Sequence, residues 1–166
     1  KEDWQSLYEP SKRKEKYILF YNLLNSSESI LFAEQLSNKT GLPIKEINMN
    51  LTFKHLLNKR YITCASLERF LQLIDGAEYI VSNSFHGVAF SLIYEKQFWA
   101  VGFGAKSNRV ISLLNQVGLP HLYVDDPAGI FVEPPQIDYS IVKVKMHRFI
   151  LESESFLIKS AQPYEL

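Results

Sequence analysis

The stretch AEYIVSNSFHGVAFSLIYEKQFW, Ala77–Trp99, decides how this chain is read. Tyr79-Ile80-Val81 is an apolar run of strand length. Ser82-Asn83-Ser84-Phe85-His86-Gly87 interrupts it with a polar turn that carries a single imidazole. Val88–Tyr94 is apolar enough for a buried helix, and Phe98-Trp99-Ala100-Val101 follows at once as a second strand. Strand, loop, helix and strand in one compact unit are the makings of a parallel crossover.

Working outward, the pattern recurs. Tyr17–Tyr21 fits a central parallel strand covered on both faces. Asn22–Ser27 is a polar loop, and Glu28–Lys39 has helical spacing with Ser27 as N-cap. Gly41 closes that helix, Pro43 prevents its continuation, and Ile44–Met49 is the next strand. Leu51–Arg60 reads as a short helix or a loop. Ser66 caps a helix over Leu67–Ile74, with Leu67, Phe70, Leu71 and Ile74 on one face, and Asp75-Gly76 ends it. Downstream, Asn108 caps a helix Arg109–Val117, Gly118 and Pro120 stop it, and Leu122–Val124 is a further strand. Asp125–Asp138 is an irregular connector, and Tyr139 to about Ser160 is a terminal helix with an uneven apolar stripe. This alternation predicts an α/β fold with a mostly parallel sheet.

A chain of 166 residues is long enough for one domain with a real core. Its formal net charge of zero argues against a nucleic-acid or membrane-surface partner for the chain as a whole. The single cysteine, Cys64, excludes an internal disulfide and a cysteine-based zinc cluster, and a reducing, cytoplasmic compartment is the simplest expectation. No apolar run approaches the roughly 18–20 residues of a membrane span. The start, Lys1-Glu2-Asp3-Trp4, resembles no signal peptide and lacks an initiator Met, which reads as a piece of a longer protein. Residues 1–16 read as a linker in which Trp4, Leu7 and Tyr8 can dock on the body. The basic run Pro10–Lys16 is either a solvated tether or a lip for an anionic substrate.

Ligands of open parallel sheets sit outside the carboxyl ends of the strands. Two loops there lead into helices, Ser82–Gly87 and Gly102–Asn108, and each offers free N–H groups and a positive dipole end. The first carries His86, a candidate general acid or base, with Asn83 and Ser84 as further binding candidates. The second carries Lys106 and Arg109. The bland alternatives stay open: His86 can cap a helix or bond a carbonyl, and Arg109 can pair with a carboxylate. Ser82 and Ser84 lack the context of a catalytic triad, and Gly102-Phe103-Gly104 is too short for a dinucleotide fingerprint. His55, His121 and His147 have no metal-ligand spacing, and Asp125-Asp126 reads as a turn, so no metal or cofactor is expected. The aromatic residues follow core spacing, with a sugar platform as the minority reading.

The run FLQLIDGAEYIVSNSFHGVAFSLIYEKQF, Phe70–Phe98, resembles the C-terminal region of the polysaccharide pyruvyl transferase family, with SFHG followed by FS as its specific core. Asn108-Arg109, Ser112-Leu113-Leu114 and Val117-Gly118-Leu119 are similar to a downstream segment of that family, and Arg148 with Ser155-Phe156-Leu157 loosely so. The resemblance implies a Rossmann-like three-layer domain, residues 17–166, that is the C-terminal lobe of a glycosyltransferase-B-like architecture. An N-terminal lobe outside this sequence would share acceptor binding. The implied reaction moves a pyruvyl group from phosphoenolpyruvate to a saccharide acceptor, forming a pyruvate ketal without a cofactor. His86 and Arg109 are the implied donor-handling residues, with Lys106, Ser84 and Asn83 as second choices. Two rivals accompany it: a nucleotide-sugar donor lobe, for which Glu95 and Glu133 are the nearest carboxylates, and a non-catalytic binding domain.

Overall fold

The computed structural model describes residues 2–10, 15–48, 58–63, 65–102, 104, 107–126 and 133–161. Its order is α1 (Glu2–Gln5), β1 (Ile18–Asn22), α2 (Ser27–Thr40), β2 (Ile44–Asn48), β3 (Tyr61–Ile62), α3 (Leu67–Gly76), β4 (Tyr79–Ser82), α4 (Phe85–Ile93), β5 (Gln97–Val101), α5 (Asn108–Val117), a 3-10 turn (Pro120–Leu122), β6 (Tyr123–Val124) and α6 (Tyr139–Ser160). The strands form one six-stranded sheet in the order β3-β2-β1-β4-β5-β6, and every pair is parallel. Ile18 of β1 lies opposite Ile44 on one side and Tyr79 on the other. This is an α/β, Rossmann-like three-layer domain.

Period-two alternation in the strands assigns the two faces. Ile18 and Phe20 point to α2 and pack with Phe32, Ala33 and Leu36. Leu19 and Ile80 point the other way, to Leu71 and Ile74 of α3, Val88 and Leu92 of α4, and Val110 and Leu114 of α5. Each large aliphatic or aromatic side chain fully withdrawn from water contributes about 1.5–3 kcal/mol. Both edge strands are two residues long, which limits the unpaired backbone on offer to another chain. Within residues 1–16, Trp4 meets the Phe90 ring edge-on at 5.3 Å and Tyr8 is buried beside Tyr94, while Leu7 is exposed.

Several boundaries differ from the sequence expectation. Ser26, not Ser27, caps α2, because its hydroxyl is the one that accepts from the Ser29 N–H. In α3, Leu73 is buried and Leu67 exposed, since the helix rolls Leu71, Leu73 and Ile74 onto the sheet. Its cap at Ser66 and the left-handed Gly41 after α2 are as the sequence predicts. Met49, the sole cysteine and most of the ambiguous segment 51–60 lie outside the described residues.

Tyr17 ties the start of β1 to α3, donating from its hydroxyl to the Leu73 carbonyl at 2.9 Å. Burial pushes its phenol up to about 12, from an ordinary value of 10.0. A raised phenol means that the unfolded chain loses its proton first. Tyr17's contribution is therefore intact below about pH 10 and falls by about 2–3 kcal/mol as the pH climbs to about 12. Denaturant titrations of the parent and Tyr17→Phe across that window should show the variant losing less stability. Equal losses would place the alkaline sensitivity elsewhere.

Candidate functional site

The direction in which the sheet grows reverses between β1 and β4, so the chain leaves these neighbours towards opposite faces. Such a switch point opens a crevice at the carboxyl edge. Three exits meet here, after β1, β4 and β5, and polar side chains lock them together. Asn83, 2% exposed, accepts from the Leu23 N–H at 2.7 Å and the Leu24 N–H at 3.3 Å. Its amide donates to Asn22 Oδ1 at 2.9 Å and to Ser29 Oγ at 3.4 Å. Ser29, in the first turn of α2, in turn donates to the Val101 carbonyl at the end of β5. Gly102 then turns in the left-handed region, φ 70°, where a Cβ would stand 2.5 Å from Ser29 Oγ.

The lock continues across the sheet. Asn22 donates to Glu46 Oε1 at 2.9 Å, and Asn48 donates to the same oxygen at 3.2 Å. Arg60, just before β3, donates to Glu46 Oε2 and to Glu34, each at 3.1 Å. Glu46 is 2% exposed, so this carboxylate is held inside the protein by a cation and two amides.

The turn after β4 is shorter than the sequence suggests. Ser82 Oγ accepts from the Ser84 N–H and donates to the Ser84 carbonyl, folding the turn onto itself. The helix therefore starts at Phe85, and His86 and Gly87 stand in its first turn rather than in a loop. Gly87 allows this, because a Cβ there would lie 2.7 Å from Tyr21 Cδ1 and closer still to Ser82 Oγ. His86 is exposed and meets the Phe85 ring edge-on, with centroids 6.1 Å apart. Arg109, exposed in the first turn of α5, places its Cζ 5.2 Å from the centroid of that same ring. Phe85 thus brings together the two residues singled out as candidates, 23 positions apart in the sequence. An exposed cation over an aromatic face is worth about 0.5–1 kcal/mol.

Both helices begin without a side-chain cap. Ser26, Ser66 and Asp138 accept from the N-termini of α2, α3 and α6. Ser84 before α4 and Ser107 before α5 make no such bond, and Ser107, not Asn108, stands at the N-cap position. The Ser84 hydroxyl bonds the half-buried Tyr21 phenol instead, and that of Ser107 the half-buried Tyr123 phenol. Burial raises both phenols above their ordinary value, and each serine bond partly opposes this. The first-turn N–H groups of α4 and α5 are left for solvent or an anion, backed by both helix dipoles.

The other sequence candidates separate from this edge. Lys106 lies outside the described residues. Glu95, just past the end of α4, pairs with Lys143, and Glu133 pairs with Lys39 in the last turn of α2. Both therefore stand at the opposite edge of the sheet, away from a nucleotide sugar's place. A cleft of about 670 Å³ also opens at that edge, lined by Glu15, Glu34, Lys45 and Arg60 among others, and its charges largely pair with one another. Among the described residues no group of His, Cys, Asp and Glu is arranged to hold a metal ion. No described helix is long and apolar enough to cross a membrane.

Sequence reasoning missed Phe85, which it assigned to the core, and the Asn22–Glu46–Arg60 chain. The family model described as polysaccharide pyruvyl transferase matches residues 1–103, a span that holds β1 to β5 and His86 and ends before Arg109. No curated protein and no solved structure matches the chain.

Proposed function

Because this chain belongs to the polysaccharide pyruvyl transferase family, we propose that its carboxyl-edge site binds phosphoenolpyruvate and transfers the pyruvyl group to a saccharide as a ketal. The observation that carries this reading is the convergence of His86 and Arg109 on Phe85 between two uncapped helix N-termini. The donor has a carboxylate and a phosphate, so its site needs charge-assisted donors at two separate points. Arg109 with the α5 N-terminus supplies one point and the α4 N-terminus the other.

In this scheme His86, as imidazolium, donates a proton to the methylene carbon of the donor, leaving an oxocarbenium-like centre at the neighbouring carbon. One hydroxyl of the saccharide adds its oxygen there and returns its proton to the imidazole. A second hydroxyl of the same sugar then forms the other C–O bond as the C–O bond to phosphate breaks. Its proton leaves with the phosphate, so protons and electrons balance. General acid–base work of this kind contributes about 10²–10⁴-fold in rate. Asn83, with its side chain committed inside the protein, serves by holding the loop in place. The acceptor, a precursor of a cell-surface or exopolysaccharide, approaches from the open side of the crevice, where a second lobe would complete the site.

Calorimetric titration tests this. Phosphoenolpyruvate should bind the parent chain, and Arg109→Ala should weaken it about tenfold or more, the loss of a charge-assisted pair. Nucleotide sugars titrated in parallel should not bind. No binding of phosphoenolpyruvate by the parent, or equal binding by Arg109→Ala and His86→Ala, would sink the assignment.

A further inference from the structure

Arg109 stands where a cation is least at home, in the first turn of α5 at the positive end of the helix dipole. Among the described residues no carboxylate, carbonyl or hydroxyl holds its guanidinium. Its one directional contact there is the face of the Phe85 ring, with Cζ 5.2 Å from the centroid. The His86 imidazole likewise makes no hydrogen bond to a described residue and has that same ring as its aromatic neighbour. Phe85 itself is half-buried and packs against the core on that face of the sheet, so the ring is a fixed platform.

A ring does for an arginine what a carboxylate cannot. The side chain samples many rotamers, and ordering it during binding subtracts from affinity. A partner that holds it beforehand removes that cost. A carboxylate would hold it through hydrogen bonds, and would spend the N–H donors and the charge that an anionic ligand needs. An aromatic face attracts the same cation through its quadrupole and leaves those donors free. Phe85 also precedes His86 in the first turn of α4, so the contact fixes Arg109 of α5 against the helix end that carries the histidine.

We propose that Phe85 is a positioning residue of the donor site, whose ring presets Arg109 for an anionic group with its charge and N–H donors unspent. This role rests on the phosphoenolpyruvate reading of the carboxyl edge. The ring then matters to binding only through Arg109.

A double-mutant cycle read by calorimetric titration of phosphoenolpyruvate tests this. Phe85→Leu should weaken binding about two- to fivefold, the worth of an exposed cation–π contact. Phe85→Tyr, which keeps an aromatic face, should bind as the parent does. In an Arg109→Ala chain, Phe85→Leu should change nothing further. A residue that served only to hold α4 in shape would cost the same factor in both backgrounds. That result overturns the proposal, as does parent-like binding by Phe85→Leu. Proton NMR reads the contact without any ligand. The Arg109 δ protons should resonate upfield in the parent, within the ring current of Phe85, and return to their ordinary position in Phe85→Leu. Ordinary shifts in the parent beside binding of phosphoenolpyruvate overturn the role of Phe85 alone. Upfield shifts beside no binding at all overturn the donor reading, and the role with it.

Discussion

A Gly87→Ala chain should unfold at clearly lower denaturant than the parent, by roughly 2–4 kcal/mol, and should lose donor binding with it. Overpacking a filled interior costs about 1–3 kcal/mol, and breaking buried hydrogen bonds adds to this. The new methyl would stand 2.7 Å from Tyr21 Cδ1 and closer to Ser82 Oγ. Neither neighbour can yield cheaply. Ser82 is fully buried and uses its hydroxyl twice to close the turn before α4. Tyr21 is held by the Phe70 ring, at 5.2 Å between centroids. The methyl is therefore accommodated by lifting the first turn of α4, which carries His86. Ser82→Ala in the same chain removes one clash and leaves the other, so the double variant should recover only part of the loss. Wild-type stability and donor binding in Gly87→Ala would show that α4 can shift without consequence, against the geometry described.

The second large effect is expected at Asn83. Its truncation to alanine strips the part-buried Leu23 and Leu24 N–H groups of their acceptor and takes from Asn22 Oδ1 one of its two donors, and each orphaned group costs about 1–3 kcal/mol. A total near 2–5 kcal/mol follows, large against the roughly 5–15 kcal/mol that holds a typical domain together. Asn83→Asp discriminates the cause. It keeps shape and acceptor, but sets a carboxylate oxygen against Asn22 Oδ1. Asn22 cannot turn its amide around, because its Nδ2 serves Glu46 and its Oδ1 also accepts from the Asn25 N–H. Thermal unfolding should rank the parent above both variants at neutral pH. If Asn83→Asp is as stable as the parent, the donor bond to Asn22 carries nothing and the lock is misdescribed.

Much of the fold was readable because the strands are dense apolar runs and α2 and α3 have ordinary serine caps. The terminal helix was legible as Tyr139 to about Ser160, while Asp138, read as the end of the connector, caps it. The two-residue strand β3 was not, because Tyr61-Ile62 makes no periodic signal and its pairing depends on β2. SFHG reads as a loop in the sequence, whereas Phe85, His86 and Gly87 open α4. The turn is short because Ser82 bonds Ser84, a contact between side chain and backbone that no apolar pattern announces. The approach of Arg109 to Phe85 depends on the parallel pairing of β4 with β5 and on the set of α5. Glu46 escaped notice because a glutamate in a strand reads as a surface residue until Arg60 and two asparagines are seen around it.

The lock at Asn83 also bears on the order in which the protein assembles. The residues it joins, Leu23 and Asn83, lie 60 positions apart. Within each half of the sheet, strand, helix and strand can meet by closing a short stretch of chain. The lock needs β1 and β4 side by side, a far longer closure whose entropic cost rises with the logarithm of length, about 0.6 kcal/mol per doubling. Neither half holds a site while it stands alone: one has the amides of Leu23 and Leu24, the other the histidine. The geometry around His86 comes into being only once the two halves have docked, so a chain that stalls before that step has its secondary structure and no place for a ligand.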